Sequence, residues 1–579
     1  MASAMKSRFY DNVGAVPRAE YPRPQMQRDS FLCLNGKWKY AILPKDEALR
    51  AFQGDILVPF SPECLLSGVE QIVGPDDVLY YQHTFTIPDG FLKTKSLLHF
   101  DAVDYACTVR LNGKEVGSHK GGFLPFTLDV SAAAVTGENS LEVTVTDPTN
   151  KGTQARGKQT LNPGGIWYTP QSGIWGTVWM ESVPECFVED LCIVPDIDQD
   201  KVFVTVKTDS REFTVRVLDG FEEPSADVCA EATCRGGGTA EIPMSSYELW
   251  NPEHPKLYGL EITAGMDKVT SYFGMRKFSV GKDGQGQSRL MLNNKPYFHT
   301  GVLDQGYWSD GMLTAPTDEA MVFDIQMLKD MGFNMIRKHI KIEPLRWYYH
   351  CDKIGMLVWQ DMINGGGSYN PFCIAILPFL NIMIDDKYHR FFGRGNAAGR
   401  DEFERDTQAT VDLLRNVPSL AMWVPFNEGW GQFDSDRISE DIARQDPTRT
   451  IDRTSGWHDQ MTGDFVSKHI YFTPIWVPKD ARCYLLSEFG GLAKPTKGHM
   501  MVNVPFGYRM YFRKKTLQSS FRKLYERSIL ANIPRGLSAT VYTQVSDVEG
   551  EINGLITYDR KVEKFDRAFV KEINDRCKL

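Results

Sequence analysis

Apolar and polar residues alternate through the first part of the chain, as in Tyr80-Tyr81-Gln82-His83-Thr84-Phe85-Thr86-Ile87 and Leu141-Glu142-Val143-Thr144-Val145-Thr146. A period of two marks half-buried strands. The Asn112-Gly113 pair after Cys107-Thr108-Val109-Arg110-Leu111 signals a tight turn. Many short strands joined by turns predict a β jelly roll over residues 1–185. A second alternating block contains Val202-Phe203-Val204-Thr205-Val206 and Phe213-Thr214-Val215-Arg216-Val217. It predicts an immunoglobulin-like β-sandwich over residues 186–281, read as a spacer that orients its neighbours.

From residue 282 the period changes. Helical patterns such as 318–331 alternate with short apolar runs near 297–303, 333–337, 356–361, 420–428, 450–453, 465–471, 483–488 and 539–544. Strands alternating with helices in this way predict a (β/α)8 TIM barrel over residues 282–579, with its active site at the C-terminal strand ends. On that count Glu428 ends the fourth strand and Glu488 the seventh. Each sits in the same setting of apolar run, carboxylate, aromatic and glycine: Val424-Pro425-Phe426-Asn427-Glu428-Gly429-Trp430-Gly431 and Leu485-Leu486-Ser487-Glu488-Phe489-Gly490-Gly491. Two carboxylates at one barrel mouth are the equipment of a glycosidase. Long excursions at 364–400 and 497–513 read as lids or subsite walls, or as an oligomer contact. The run Asn162-Pro163-Gly164-Gly165-Ile166-Trp167-Tyr168 either packs locally or reaches over a neighbouring site.

Composition narrows this picture. A chain of 579 residues needs more than one core. Aromatic residues make up 12% of it, which suits β-rich cores and also surfaces on which pyranose faces stack. The net charge of −9 speaks against nucleic acid or an anionic membrane as the main partner. No apolar run is long enough to span a bilayer, and the opening residues 1–8 lack the hydrophobic stretch of a secretory signal. The 11 cysteines, without a Cys-x-x-Cys pair, fit reduced thiols and a cytoplasmic location. No His/Cys cluster has zinc spacing, so neither a metal nor another cofactor is expected.

With these residues in hand, the chain resembles glycoside hydrolase family 2, the family of β-galactosidases, β-glucuronidases and β-mannosidases. Arg23-Pro24-Gln25 and Leu34-Asn35-Gly36-Lys37-Trp38 are similar to the opening of the family's sugar-binding jelly roll, and Gly173-Ile174-Trp175 with Val178-Trp179 to its close. Gly176 stands where an arginine is common. Leu249-Trp250-Asn251-Pro252 and Pro255-Lys256-Leu257-Tyr258 resemble the end of the immunoglobulin-like domain. Asn427-Glu428 matches the acid/base motif and Ser487-Glu488-Phe489-Gly490 the nucleophile motif.

The resemblance implies retention by double displacement, with the two carboxyl groups about 5–5.5 Å apart. Glu488 is then the nucleophile, its pKa kept low by neighbouring donors. Glu428 is the general acid and later base, its pKa raised by the charge on Glu488. Asn427 would donate to the sugar 2-hydroxyl, and Tyr471 resembles the family tyrosine that binds the nucleophile. His469 shares the Tyr471 face as a ligand or a buried structural histidine, and Arg337 either orients Glu488 or forms a barrel salt bridge. His339 departs from the family's Arg-x-x-His spacing. Asp304, Gln305 and Asp361 are candidate sugar-hydroxyl binders. Trp457, Trp308 and Tyr542 are candidate stacking surfaces, or core.

The region after the eighth strand, Glu551-Ile552-Asn553-Gly554-Leu555, lacks the lysine of the family's uronate-binding Asn-x-Lys pair. A glucuronide is therefore less expected, and by its frequency in the family that the chain resembles, a terminal β-galactoside is the expected carbohydrate substrate. β-Glucuronide, β-galacturonide and α-L-arabinoside stay open, with a cation from a lid loop as the substitute partner for a uronate. The alternative of another class is a non-catalytic carbohydrate-binding protein. Homo-oligomerisation is left open.

Overall fold

A computed structural model describes residues 5–223, 226–380 and 382–579, without the side chains of residues 375 and 379. Parts of the 1–8 opening and of the 364–400 excursion therefore lie outside the described residues. The chain is multidomain, as its changing periods predict. A six-stranded and a four-stranded antiparallel sheet form the N-terminal jelly roll. Alternate residues of their strands, among them Trp38, Tyr81, Phe100 and Val143, meet in one apolar core. Three- and four-stranded sheets then form the immunoglobulin-like sandwich around Val204, Phe213, Val215 and Ile262.

The barrel strands are β1 (His299–Asp304), β2 (Met335–Lys338), β3 (Leu357–Asp361), β4 (Leu420–Val424), β5 (Thr450–Ile451), β6 (Phe465–Ile470), β7 (Cys483–Gly490) and β8 (Leu537–Thr543). All eight lie parallel in one sheet of order β5-β4-β3-β2-β1-β8-β7-β6. Every residue of β1, β3, β4, β7 and β8 is buried. That is why these strands read as continuous apolar runs and not as alternations: inward side chains fill the barrel and outward ones meet helices.

The end strands β5 and β6 share no ladder among the described residues, and side chains bridge that seam. Ser467 Oγ donates to Asp452 Oδ2 at 2.7 Å, and Ser455 Oγ meets His469 Nε2 at 3.2 Å. A lone β5–β6 seam held by side chains places Asp452, Ser455 and His469 at one corner of the mouth.

The helices obey the usual start signals. Thr317 Oγ1 caps α1 (Asp318–Asp330) by accepting from Ala320 N, and Asn396 Oδ1 caps α3 (Ala397–Leu414) by accepting from Gly399 N. Trp250, fully buried, locks the sandwich to the barrel by donating from Nε1 to the Asp352 carbonyl at 2.9 Å.

Both long excursions fold onto the barrel mouth. In the first, Gly365 pairs with Ala155 of the jelly roll, and Arg394 donates to the Gly431 carbonyl at 3.0 Å. In the second, Arg509 donates to the Tyr471 carbonyl at 2.9 Å, and Phe506 N to the Gly550 carbonyl at 2.7 Å. Phe372 and Tyr388 of the first and Phe512 of the second are exposed. The 11 cysteines are all unpaired. Among the described residues no helix is long and apolar enough to cross a membrane.

Candidate active site

The β4 strand stops at Val424, so Glu428 stands on the following turn and not on the strand itself. Phe426 anchors that turn by stacking on Phe403 with ring centroids 5.2 Å apart. The backbone is then pinned to the loop after β5: Glu428 N donates to the Ser455 carbonyl, and Ser455 N to the Phe426 carbonyl, both at 2.9 Å. Glu428 adopts a φ of +51°, a left-handed conformation that a residue with a Cβ takes only when its surroundings impose it. Gly431 follows at φ +69°, where a Cβ would lie 2.4 Å from the Gly365 carbonyl. The glycines therefore let the 364–400 excursion close against the turn.

Glu488 is carried by β7 and buried, and the two glutamates meet. One carboxylate oxygen of each, together with a His469 ring nitrogen, all lie within 4.8 Å of one another. His469 Nδ1 is 2.8 Å from Glu428 Oε1 and 3.6 Å from Glu488 Oε2. Burial pushes the imidazole pKa down to about 4, so the ring is neutral at pH 7. Arg337 Nη1, which can only donate, lies 3.5 Å from Nε2. Nε2 is then the acceptor, and Nδ1 carries the ring proton toward Glu428 Oε1. That leaves Oε2 of Glu428 as the oxygen free to hold an acidic proton. These three groups could offer a cation one ligand each, but their hydrogen bonds already satisfy the cluster.

Arg337 is the hub beneath both acids. Fully buried on β2, it grips Asp361 in a fork with Nε–Oδ1 2.9 Å and Nη2–Oδ2 3.0 Å. It donates to Asn427 Oδ1 at 2.7 Å, to the Ser487 carbonyl at 3.0 Å and to Glu488 Oε1 at 3.3 Å. The bond to Asn427 fixes its amide so that Nδ2 points away, buried and without a protein partner. Tyr471 donates to Glu488 Oε2 and meets Thr543 Oγ1 at 3.1 Å; its ring stacks on Tyr508 with centroids 4.0 Å apart. His339 Nδ1 is 2.7 Å from Asp361 Oδ2, so it braces the carboxylate that braces Arg337.

The pKa of Glu428 is raised by burial, as its setting beside aromatics leads one to expect, and that of Glu488 departs from expectation. Burial, not the Glu488 charge, is the leading reason that Glu428 is pushed up to about 7, with Lys158 and Arg337 opposing it. Burial also raises Glu488 from its ordinary value, and the Glu428 charge adds to it; the field of Arg337 and the Tyr471 hydrogen bond only partly offset them. The nucleophile candidate is thus not held low, as its donors alone suggest. Asp361 is likewise raised, because desolvation outweighs even the paired Arg337.

Other expected residues fall elsewhere. Asp304 is occupied by Lys338 Nζ at 2.5 Å and Gly306 N at 2.9 Å, within a buried cluster that includes Glu343 and Lys341. Its carboxylate is paired within that cluster. Asp361 is taken up by Arg337 and His339 in the same way. Gln305 Nε2 donates to Gln544 Oε1 at 2.8 Å, and the chain of bonds continues through Asn553 to Glu551. Tyr542 is fully buried against Phe489 and Phe521 on the helix side of β8, so it is core and not a stacking surface. Trp308 is core too, edge-on to Phe9. Trp457, in the loop after β5, is half-buried. A separate cavity of about 170 Å³ at the jelly roll–barrel seam, lined by Arg18, His99 and Trp179, contains neither glutamate.

Three sequence models of one family match this chain in order. The "Glycosyl hydrolase 2 galactose-binding domain-like" model covers residues 71–174, "Glycosyl hydrolases family 2" residues 186–276, and "Glycosyl hydrolases family 2, TIM barrel domain" residues 285–566. The chain belongs to glycoside hydrolase family 2. Among curated relatives, a β-galactosidase of Halalkalibacterium halodurans is 26% identical over 82% of this chain and 48% of its own length. A putative β-glucuronidase of Formosa agariphila is 24% identical over 66% of this chain and 34% of its own. The family 2 chain thus spans about half or less of these two relatives. Among solved structures, the β-D-glucuronidase of Dictyoglomus thermophilum superposes with a TM-score of 0.73 at 19% identity, covering 96% of this chain and 98% of that one. A β-galacturonidase of Eisenbergiella tayi gives 0.69 at 18% identity, over 96% and 98%. At those identities the structures speak for the family 2 fold.

Replacing Arg337 with Met leaves Asp361 buried beside His339 alone. The expected cost is about 3–5 kcal/mol of stability, because the unpaired carboxylate keeps its desolvation penalty. The deficit shrinks as pH falls: Asp361 is then raised further above its unfolded value, and protonation removes the stranded charge. Thermal unfolding of both proteins across acidic to neutral pH measures this.

Proposed function

We propose that the protein is a retaining exo-β-glycosidase that removes terminal β-linked sugars by double displacement. One observation carries the reading: Glu428 and Glu488 approach within 4.8 Å around a neutral His469, yet have different partners. Glu488, held by Arg337 and Tyr471, attacks the anomeric carbon while Glu428 protonates the departing oxygen. Water then enters, Glu428 takes its proton, and the sugar leaves with its original configuration. Esterifying Glu488 removes its negative charge from beside Glu428, which makes the Glu428 carboxylate easier to ionise and suits it to act as base. The unpartnered Asn427 Nδ2 suits the 2-hydroxyl, a contact that strengthens in an oxocarbenium-like transition state.

The name of the Halalkalibacterium halodurans relative supports a β-galactoside, and those of the Formosa agariphila relative and the two structural neighbours a β-uronide. Turnover of a panel of aryl β-glycosides by the purified chain tests the reading. Sugar binding without cleavage of any of them would instead assign a carbohydrate-binding protein.

A further inference from the structure

Among the described residues four lysines are buried: Lys158, Lys338, Lys341 and Lys564. Three of them hold carboxylates, Lys338 at 2.5 and 2.7 Å, Lys341 at 2.8 Å and Lys564 at 2.5 Å. Lys158 is different. Its side chain is only 6% exposed, yet among the described residues its ammonium makes no hydrogen bond and no ion pair. Instead it stands 5.6 Å from the ring centroids of both Tyr168 and Trp430. Two aromatic faces stabilise a cation without neutralising it, so among the described residues the ammonium has no counterion.

The position of Lys158 says where that counterion would come from. Its segment crosses from the jelly roll onto the barrel, with Arg156 N and Gly157 N both donating to the Asn364 carbonyl at 3.1 Å. Trp430 lies two residues beyond Glu428 and is tied by its own N–H to the Asn427 carbonyl at 2.9 Å. Tyr168 donates at 2.5 Å to Glu551, in the loop after β8. Lys158 therefore overlooks the pocket between the β4 and β8 ends. Its charge is felt at Glu428, His469, Asp361 and His339, the groups that floor the sugar site.

We propose that Lys158 is the receptor for a carboxylate on the terminal sugar, so that the preferred substrate is a β-linked uronic acid. This rests on the two-glutamate reading of the site. The stretch Glu551-Ile552-Asn553-Gly554-Leu555 after β8 carries no lysine, and Lys564 further along is held by Asp547, so the jelly roll supplies the missing cation from a different domain. A substrate carboxylate gives the ammonium the charge-assisted partner that the protein withholds.

The test uses the full chain with nitrophenyl β-D-galacturonide, β-D-glucuronide and β-D-galactoside, and with a carboxyphenyl β-D-galactoside that carries its anion on the leaving group. The wild type is expected to favour a uronide. Lys158→Met is expected to lower the uronide-to-galactoside ratio of kcat/KM at least about 30-fold, mainly through KM, and Lys158→Arg to restore part of it. An unchanged ratio, with both substrates falling together and the pH profile displaced, would mean that Lys158 acts on Glu428 and would overturn the proposal. Preference for the carboxyphenyl galactoside over the uronides would move the anion to the leaving group and also overturn it. If the wild type cleaves nothing, the two-glutamate reading fails separately. Calorimetric binding of galacturonate and glucuronate, against galactose, then decides: tighter uronate binding that Lys158→Met abolishes supports the receptor, and equal binding refutes it.

Discussion

Glu488→Gln is expected to lower kcat on aryl β-glycosides by on the order of 10⁵-fold while leaving the fold intact, since no other group can form the covalent intermediate. The substitution is nearly isosteric: the amide oxygen can accept from Arg337 Nη1 in the place of Oε1, and the amide NH2 in the place of Oε2 can donate to the Tyr471 hydroxyl. A structural role alone would show as a lowered melting temperature with partial turnover. Stopped-flow and steady-state kinetics beside thermal unfolding separate the two, and retention of wild-type turnover would remove Glu488 from the mechanism.

Glu428→Gln is expected to behave differently. General acid–base assistance is worth about 10²–10⁴-fold, and its loss depends on the leaving group. A dinitrophenolate departs without a proton, so its first step is spared and hydrolysis of the intermediate becomes limiting; a poor leaving group stalls at once. The pH profile carries the sign. Glu428 must be protonated in the free enzyme, and its pKa lies at about 7, so kcat/KM of the wild type falls as pH rises through neutrality. The Gln variant has no such proton and should lose that limb. A basic limb that survives the substitution would assign the acid to another residue.

The sequence carried the barrel and both glutamates because parallel strands buried on both faces are written as unbroken apolar runs, and the carboxylates interrupt them at their ends. Which face a residue takes is not written there. Tyr542 and Thr543 are neighbours on β8; the hydroxyl of Thr543 reaches Tyr471 while Tyr542 packs among helix residues. With both faces apolar, nothing in the sequence separates them. The pairing of Asp304 is hidden for a related reason: its partner Lys338 lies on the adjacent strand and binds it only once the strands pair. Ser455, Tyr508 and Lys158 escaped the sequence reading because each reaches the site from a loop or a different domain. The only advance signal was the aromatic and glycine content of the segments that carry them. The electrostatics were half legible. Donors around Glu488 could be anticipated from Arg337 and Tyr471, but the burial that overrides them is a property of the closed mouth.

All of this depends on Glu488 forming a bond to the sugar while Glu428 stands opposite. Incubation with the activated 2-deoxy-2-fluoro derivative of whichever glycoside the chain cleaves, followed by proteolysis and mass spectrometry, tests that directly. The fluorine slows both steps and the good leaving group restores the first, so the intermediate accumulates. One sugar attached to the peptide containing Glu488 is the predicted result; a sugar on another residue, or turnover with inverted configuration and no adduct, would contradict it.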